Sequence, residues 1–200
     1  MMIFDIPLLK IEQEKRLVVG RAVQEVTDRS GEILDYESAK PAFAEWSKSF
    51  SDGTNGLSKG NIRVMHNPKA VAGKVVDISY NDQEKAIDIV AKIVDDQEWR
   101  KVEEGVYTGF SVGGSYAKKW TDPSTGSTRY TPKVVEVSLV DRPCIQTCRI
   151  IELHKVDGSI EEIFVNPVAR SYSEIRPAPR TYSSIIVPRT YSQIVPRRPA

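Results

Sequence analysis

Cysteine is nearly absent from this chain: there are two in 200 residues, Cys144 and Cys148. Two thiols four positions apart do not make a disulfide framework, so a reducing compartment is the default expectation. Histidine is just as sparse, with only His66 and His154 available for imidazole chemistry. No run approaches the roughly 20 apolar residues that cross a bilayer. The opening MMIFDIPLLK is short, contains Asp5 and has no basic stretch before it, so it does not read as a signal peptide. A P-loop and a dinucleotide-binding glycine pattern are both missing, and no cofactor is expected. These absences point to a cytoplasmic protein that stays off membranes.

What is present is a globular composition, 40% hydrophobic and 28% charged. The net charge of +1 hides a division. From Arg170 to Ala200 six arginines stand against Glu174, a tail of +5, which leaves 22 basic and 26 acidic residues (−4) in the first 169. A mildly acidic body with a basic tail suggests that the tail meets something acidic.

Residues 16–26 (RLVVGRAVQEV) read as a strand, and 28–35 (DRSGEILD) as a loop. Asp35 or Ser38 is positioned to cap a helix running to about Phe50, with Pro41 acceptable in its first turn. Ala39, Phe43, Trp46 and Phe50 recur at helical spacing, as a core-facing stripe does. Residues 51–61 form a glycine-rich loop leading to His66. Residues 71–80 and 86–94 read as paired strands, and 95–104 as a short helix that begins with acidic residues and ends before Gly105. Residues 106–119 and 133–140 are further strands, and 149–155 and 160–165 flank a tight Asp157–Gly158 hairpin. So many short strands must hide their edges, so the expected fold is a β-dominated α+β body. Its core would be a closed or nearly closed antiparallel β-barrel with two or three helices.

Three segments carry candidate chemistry. His66 ends an apolar run just before Asn67–Pro68, the mouth of a loop, whereas His154 sits inside a strand pattern and reads as structural. Ser111 lies in Gly109-Phe-Ser-Val-Gly113-Gly114, where flanking glycines leave a hydroxyl open to substrate and base. An ordinary glycine-interrupted strand with a bulge reads the same way. Glu136 lies in Val134-Val-Glu-Val-Ser-Leu-Val-Asp141-Arg-Pro143, on the strand face that also carries Ser138 and Val140. The order of histidine before serine, and the lack of βαβ units, exclude an α/β-hydrolase.

Together these segments resemble the phage prohead protease superfamily, most closely the XkdF-like phage serine proteases. The matching residues are His66, the VAGKVV of 71–76, Trp99 with Gly105, Tyr107 through Gly114, and Glu136 through Pro143. The resemblance spans roughly residues 16–143. It implies an assemblin-like β-barrel and a serine endopeptidase that processes capsid or scaffold protein, and itself, during phage head maturation. His66 would be the general base, Ser111 the nucleophile and Glu136 the third member, with Asp141 in reserve. The glycines around Ser111, or the Asp141–Arg142 turn, would supply oxyanion donors. The resemblance also implies work inside the assembling prohead in a bacterial cytoplasm, with a homo-oligomer plausible. An alternative is an inactive relative serving as capsid-assembly scaffold or docking module.

The division expected is a protease-like domain over residues 1–166 and an extended tail over 167–200. The tail repeats one phrase three times: Arg170-Ser-Tyr-Ser-Glu-Ile, Arg180-Thr-Tyr-Ser-Ser-Ile and Arg189-Thr-Tyr-Ser-Gln-Ile. Its prolines favour extended chain. Repeated Tyr and Ile side chains suit weak multivalent docking to capsid components. Nucleic-acid binding is not expected, because the arginines are spread too thinly. Cys144, Cys148 and His154 could contribute to a zinc site, but no fourth ligand is evident, so no metal is expected.

Overall fold

In a computed structural model that describes residues 15–163, runs rich in β-branched and other apolar residues form nine strands. The strands are β1 (Leu17–Gln24), β2 (Glu32–Leu34), β3 (Asn61–Val64), β4 (Asn67–Asn81), β5 (Ala86–Ile93), β6 (Gly109–Thr121), β7 (Thr128–Val140), β8 (Ile150–His154) and β9 (Ile160–Glu162). Two helices join them, α1 (Tyr36–Gly53) and α2 (Asp96–Glu103). The tail repeats lie outside the described residues.

All nine strands belong to one sheet, in the order β2-β7-β3-β4-β5-β1-β8-β9, with β6 also paired to β7. β6 covers one edge of β7 along its whole length, and β2 and β3 share the other edge at its two ends. Both of those pairings are parallel, whereas every other ladder is antiparallel.

The expectation of a closed antiparallel barrel is therefore corrected to an unclosed mixed sheet. Only the first residues of β6 reach toward β8: Gly109 bridges Arg149, Phe110 N–H donates to Cys148 O at 3.1 Å, and Ile150 N–H donates to Thr108 O at 3.0 Å. The edges are guarded by other means. β9 is three residues long and carries two glutamates, and the outer stretch of β6 carries Lys118 and Lys119. Short and charged edges resist pairing with other chains without closure.

Asp35 caps α1, its carboxylate accepting from Ser38 N–H at 3.1 Å. Capping there puts Pro41 in the second turn rather than the first. The bond lost is the one to the Glu37 carbonyl, and Glu37 is exposed, so water can satisfy it. Tyr36, Ala39, Phe43 and Trp46 form the buried stripe, and Trp46 Nε1–H donates to the Val135 carbonyl at 3.1 Å, docking α1 on β7. Asp95 caps α2 by accepting from Gln97 and Glu98 N–H, both at 2.9 Å. These helices join Val18, Ile62, Val75, Ile89, Phe110, Val137 and Leu139 in one core. The segment read as a loop before α1 contains β2, a strand of three residues that exists only through its pairing to β7. Among the described residues no helix is long and apolar enough to cross a membrane.

Candidate active site

The site is assembled on β7. β3 runs parallel to it with Val64 against Leu139, and the chain then turns sharply through Met65 and His66 into β4. Both turn residues have positive φ, 49° and 59°, a region that side chains other than glycine rarely adopt. Two contacts with β7 hold this turn. Met65 N–H donates to the Leu139 carbonyl at 3.0 Å, and His66 N–H donates to Ser138 Oγ at 3.0 Å.

On the other side of β7, β6 sets Ser111 opposite Ser138 and Gly113 opposite Glu136. The result is a continuous chain of contacts from two strands and the turn after β3. His66 Nε2 is 2.9 Å from Ser111 Oγ, and His66 Nδ1 is 2.5 Å from Glu136 Oε1. Glu136 Oε2 accepts from Ser138 Oγ at 2.6 Å. Burial is graded along the chain: the His66 side chain is 43% exposed, that of Glu136 is 4%, and Ser138 is fully enclosed. The hydrogen bond that the ring donates to the neighbouring Glu136 carboxylate raises the imidazole above its ordinary value of 6.5, while partial burial pulls the other way. A hydroxyl, an imidazole and a buried carboxylate in this order can pass a proton from Ser111 to His66 and hold the resulting imidazolium.

Two depressions flank the middle of β6. One is an open groove of about 670 Å³ lined by Arg63, His66, Pro68, Val112–Ser115, Val135 and Glu136. The other, about 260 Å³, has Ser111 at its wall and Ala22, Val23, Leu34, Phe110 and Ile145 among its apolar lining, with Asp28, Glu32, Tyr116 and Tyr130 as polar neighbours. Ser111 thus borders the smaller depression and His66 the larger.

The structure brings His66, Ser111 and Glu136 together. Asp141 is not at the imidazole: it is exposed just past β7, and its carbonyl accepts from Thr108 Oγ1 at 2.8 Å. His154 stands on β8, its Nε2 at 3.2 Å from Glu152 Oε2. Cys148 is buried and directs its thiol to the Ala22 carbonyl at 3.2 Å, and Cys144 is a free thiol beside Ser30. Among the described residues no three His, Cys, Asp or Glu side chains gather as metal ligands.

The structure gives two site residues a part that the sequence did not show. Ser138 was legible only as a neighbour of Glu136 on one strand face. Gly113 read as clearance for the serine, yet its missing side chain makes room for the carboxylate: a Cβ there would lie 1.8 Å from Glu136 Oε1.

No protein-family model matches the chain, and no curated protein matches it. Among solved structures it is similar to the capsid assembly protease of bacteriophage T4, with 14% sequence identity and a TM-score of 0.45. That match covers 62% of this chain and 77% of the T4 chain.

Proposed function

We propose that this chain is a serine endopeptidase that cleaves capsid or scaffold protein, and itself, as a phage head matures. The observation that carries the reading is the contact sequence Ser111–His66–Glu136, with 2.9 Å and 2.5 Å between successive groups. A serine hydroxyl is a weak nucleophile until a base takes its proton. Here Nε2 accepts that proton as Ser111 Oγ attacks the scissile carbonyl. The protonated ring then returns the proton to the departing amine, leaving an acyl-enzyme on Ser111. Water then attacks the acyl carbon, giving a proton to His66, and the ring passes that proton to Ser111 Oγ as the bond to serine breaks and the acid leaves. Glu136 orients the ring and offsets its positive charge.

The phage capsid setting is supported by the two phrases around Ser111 and Glu136, Gly-Phe-Ser-x-Gly-Gly and Val-Ser-Leu-Val-Asp-x-Pro, in that order after His66. The open groove beside His66 supports an extended polypeptide as substrate rather than a small enclosed molecule.

The experiment is to incubate the full chain with a fluorophosphonate probe and, separately, with phage capsid and scaffold proteins. Expected are a covalent adduct on Ser111 and defined cleavage products, both lost in Ser111→Ala. Processing that continues unchanged in Ser111→Ala would overturn the mechanism.

A further inference from the structure

We propose that Ser138 is a positioning residue that sets the tautomer of His66, and that the signal it transmits originates in the backbone amide of His66 itself. This deepens the proteolytic reading and rests on it for the kinetic consequence, but not for the tautomer.

The inference follows from which atoms can donate. A backbone N–H can only donate, so in the 3.0 Å contact between His66 N and Ser138 Oγ the hydroxyl is the acceptor. A serine hydroxyl has one proton. With the amide pointed at its lone pair, that proton is left for the 2.6 Å contact to Glu136 Oε2. Ser138 is fully enclosed and Glu136 is 3% exposed, so water does not compete for either group. The bond from Ser138 to Oε2 fixes the plane of the carboxylate, and so holds Oε1 toward the ring, 2.5 Å away. An acceptor at that place selects the form of His66 with its proton on Nδ1. Nε2 then carries the lone pair, and it lies 2.9 Å from Ser111 Oγ. Every link has one direction, running from a peptide N–H to the lone pair that would receive the serine proton.

The same contact also stabilises a backbone that would otherwise relax. Met65 and His66 both sit at positive φ, which costs energy unless surrounding bonds hold it. Ser138 thus ties the position of the histidine and the protonation of its ring to a single hydroxyl. The parallel pairing of β3 and β7, with Arg63 against Ser138, makes this possible by bringing the turn after β3 over that hydroxyl.

The test reads the tautomer directly. The full chain carrying Ser111→Ala, with histidine labelled by nitrogen-15, is compared by NMR with and without Ser138→Ala, at a pH where the ring is neutral. Expected is a His66 ring protonated on Nδ1 in the first protein and a shift toward a mixture of tautomers in the second. In proteins that keep Ser111, Ser138→Ala should lower kcat about ten- to hundredfold, the loss of one hydrogen bond to a charged group, with KM little changed. Should Ser138→Ala fail to fold, Ser138→Thr and Ser138→Cys take its place. Threonine keeps the donor and should retain the Nδ1 proton, whereas cysteine, a weak donor of similar shape, should not. An unchanged Nδ1 tautomer in Ser138→Ala, or identical behaviour of Thr and Cys, overturns the proposal. Failure of the proteolytic reading would appear separately, as processing that survives Ser111→Ala.

Discussion

Gly113 stands directly across the β6–β7 ladder from Glu136, and a methyl group at Gly113 would sit 1.8 Å from the Glu136 Oε1 that meets His66. The nearest atoms are those of the Glu136 side chain itself, with Cδ at 2.7 Å. Gly113→Ala therefore has one cheap relief, moving the carboxylate away from the imidazole. We expect kcat to fall by about a hundredfold or more, as displacing a catalytic group by an ångström does. Paired kcat and thermal unfolding measurements check this. A large loss of stability with kcat retained in the folded fraction would contradict it.

His66 and Ser111 act as one unit in the proposed mechanism, so their losses should not add. Ser111→Ala and His66→Ala should each lower kcat by roughly 10⁴- to 10⁶-fold, and the double variant should be no slower than the worse single one. Product formation from a synthetic peptide containing the mapped cleavage site measures all three. A double variant slowed by the product of the two single effects would mean the residues work apart.

The acid side of the pH profile reports His66. The ring must be neutral to accept a proton, and the Glu136 hydrogen bond raises it above 6.5. The rise of kcat/KM with pH in the free enzyme should therefore be centred above 6.5. Glu136→Gln should move that centre down and lower kcat by about 10⁴-fold, because the amide can present the wrong partner to Nδ1. For stability the sign is opposite. The His66–Glu136 contact contributes fully below pH 6.5, the unfolded value, and its contribution fades as pH climbs through the raised folded value. A centre at or below 6.5 in the parent protein would refute the assigned contact.

Away from the site, Arg21 and Asp88 form an ion pair across β1 and β5, with Nε 2.9 Å from Oδ1 and both side chains under 10% exposed. Burial pushes the Asp88 carboxyl up against the pull of Arg21. Asp88→Ala would strand the guanidinium with only Glu84 as partner, and should cost about 3–5 kcal/mol. Replacing both, as Arg21→Met with Asp88→Leu, should cost less than Asp88→Ala alone. Urea unfolding of the three proteins decides the order, and a double variant less stable than Asp88→Ala would contradict it.

Local signals read cleanly from the sequence where the chemistry was local. Asp35 and Asp95 cap the helices because a carboxylate beside free N–H groups is satisfied within three residues, whatever the fold. The stripe from Ala39 to Trp46 follows from period alone. His66, Ser111 and Glu136 were each visible as unusual residues in their own segments, and the last two come from strands separated by a single turn.

Tertiary structure decided what lies between distant segments. No local pattern specifies that β3 pairs with β7 in parallel, some 75 positions later, because that register depends on which apolar faces meet in the core. The same holds for β2, a three-residue strand with no signal of its own. The unclosed sheet replaced the expected barrel because charge and shortness at the edges satisfied a need that closure would otherwise have met. The parallel pairing also placed an amide at positive φ against Ser138 and put the imidazole within reach of both Glu136 and Ser111. Sequence determined which residues could do chemistry, since reactivity belongs to side chains. Only the fold could make them neighbours, since contact between two strands and the turn after a third is a property of packing.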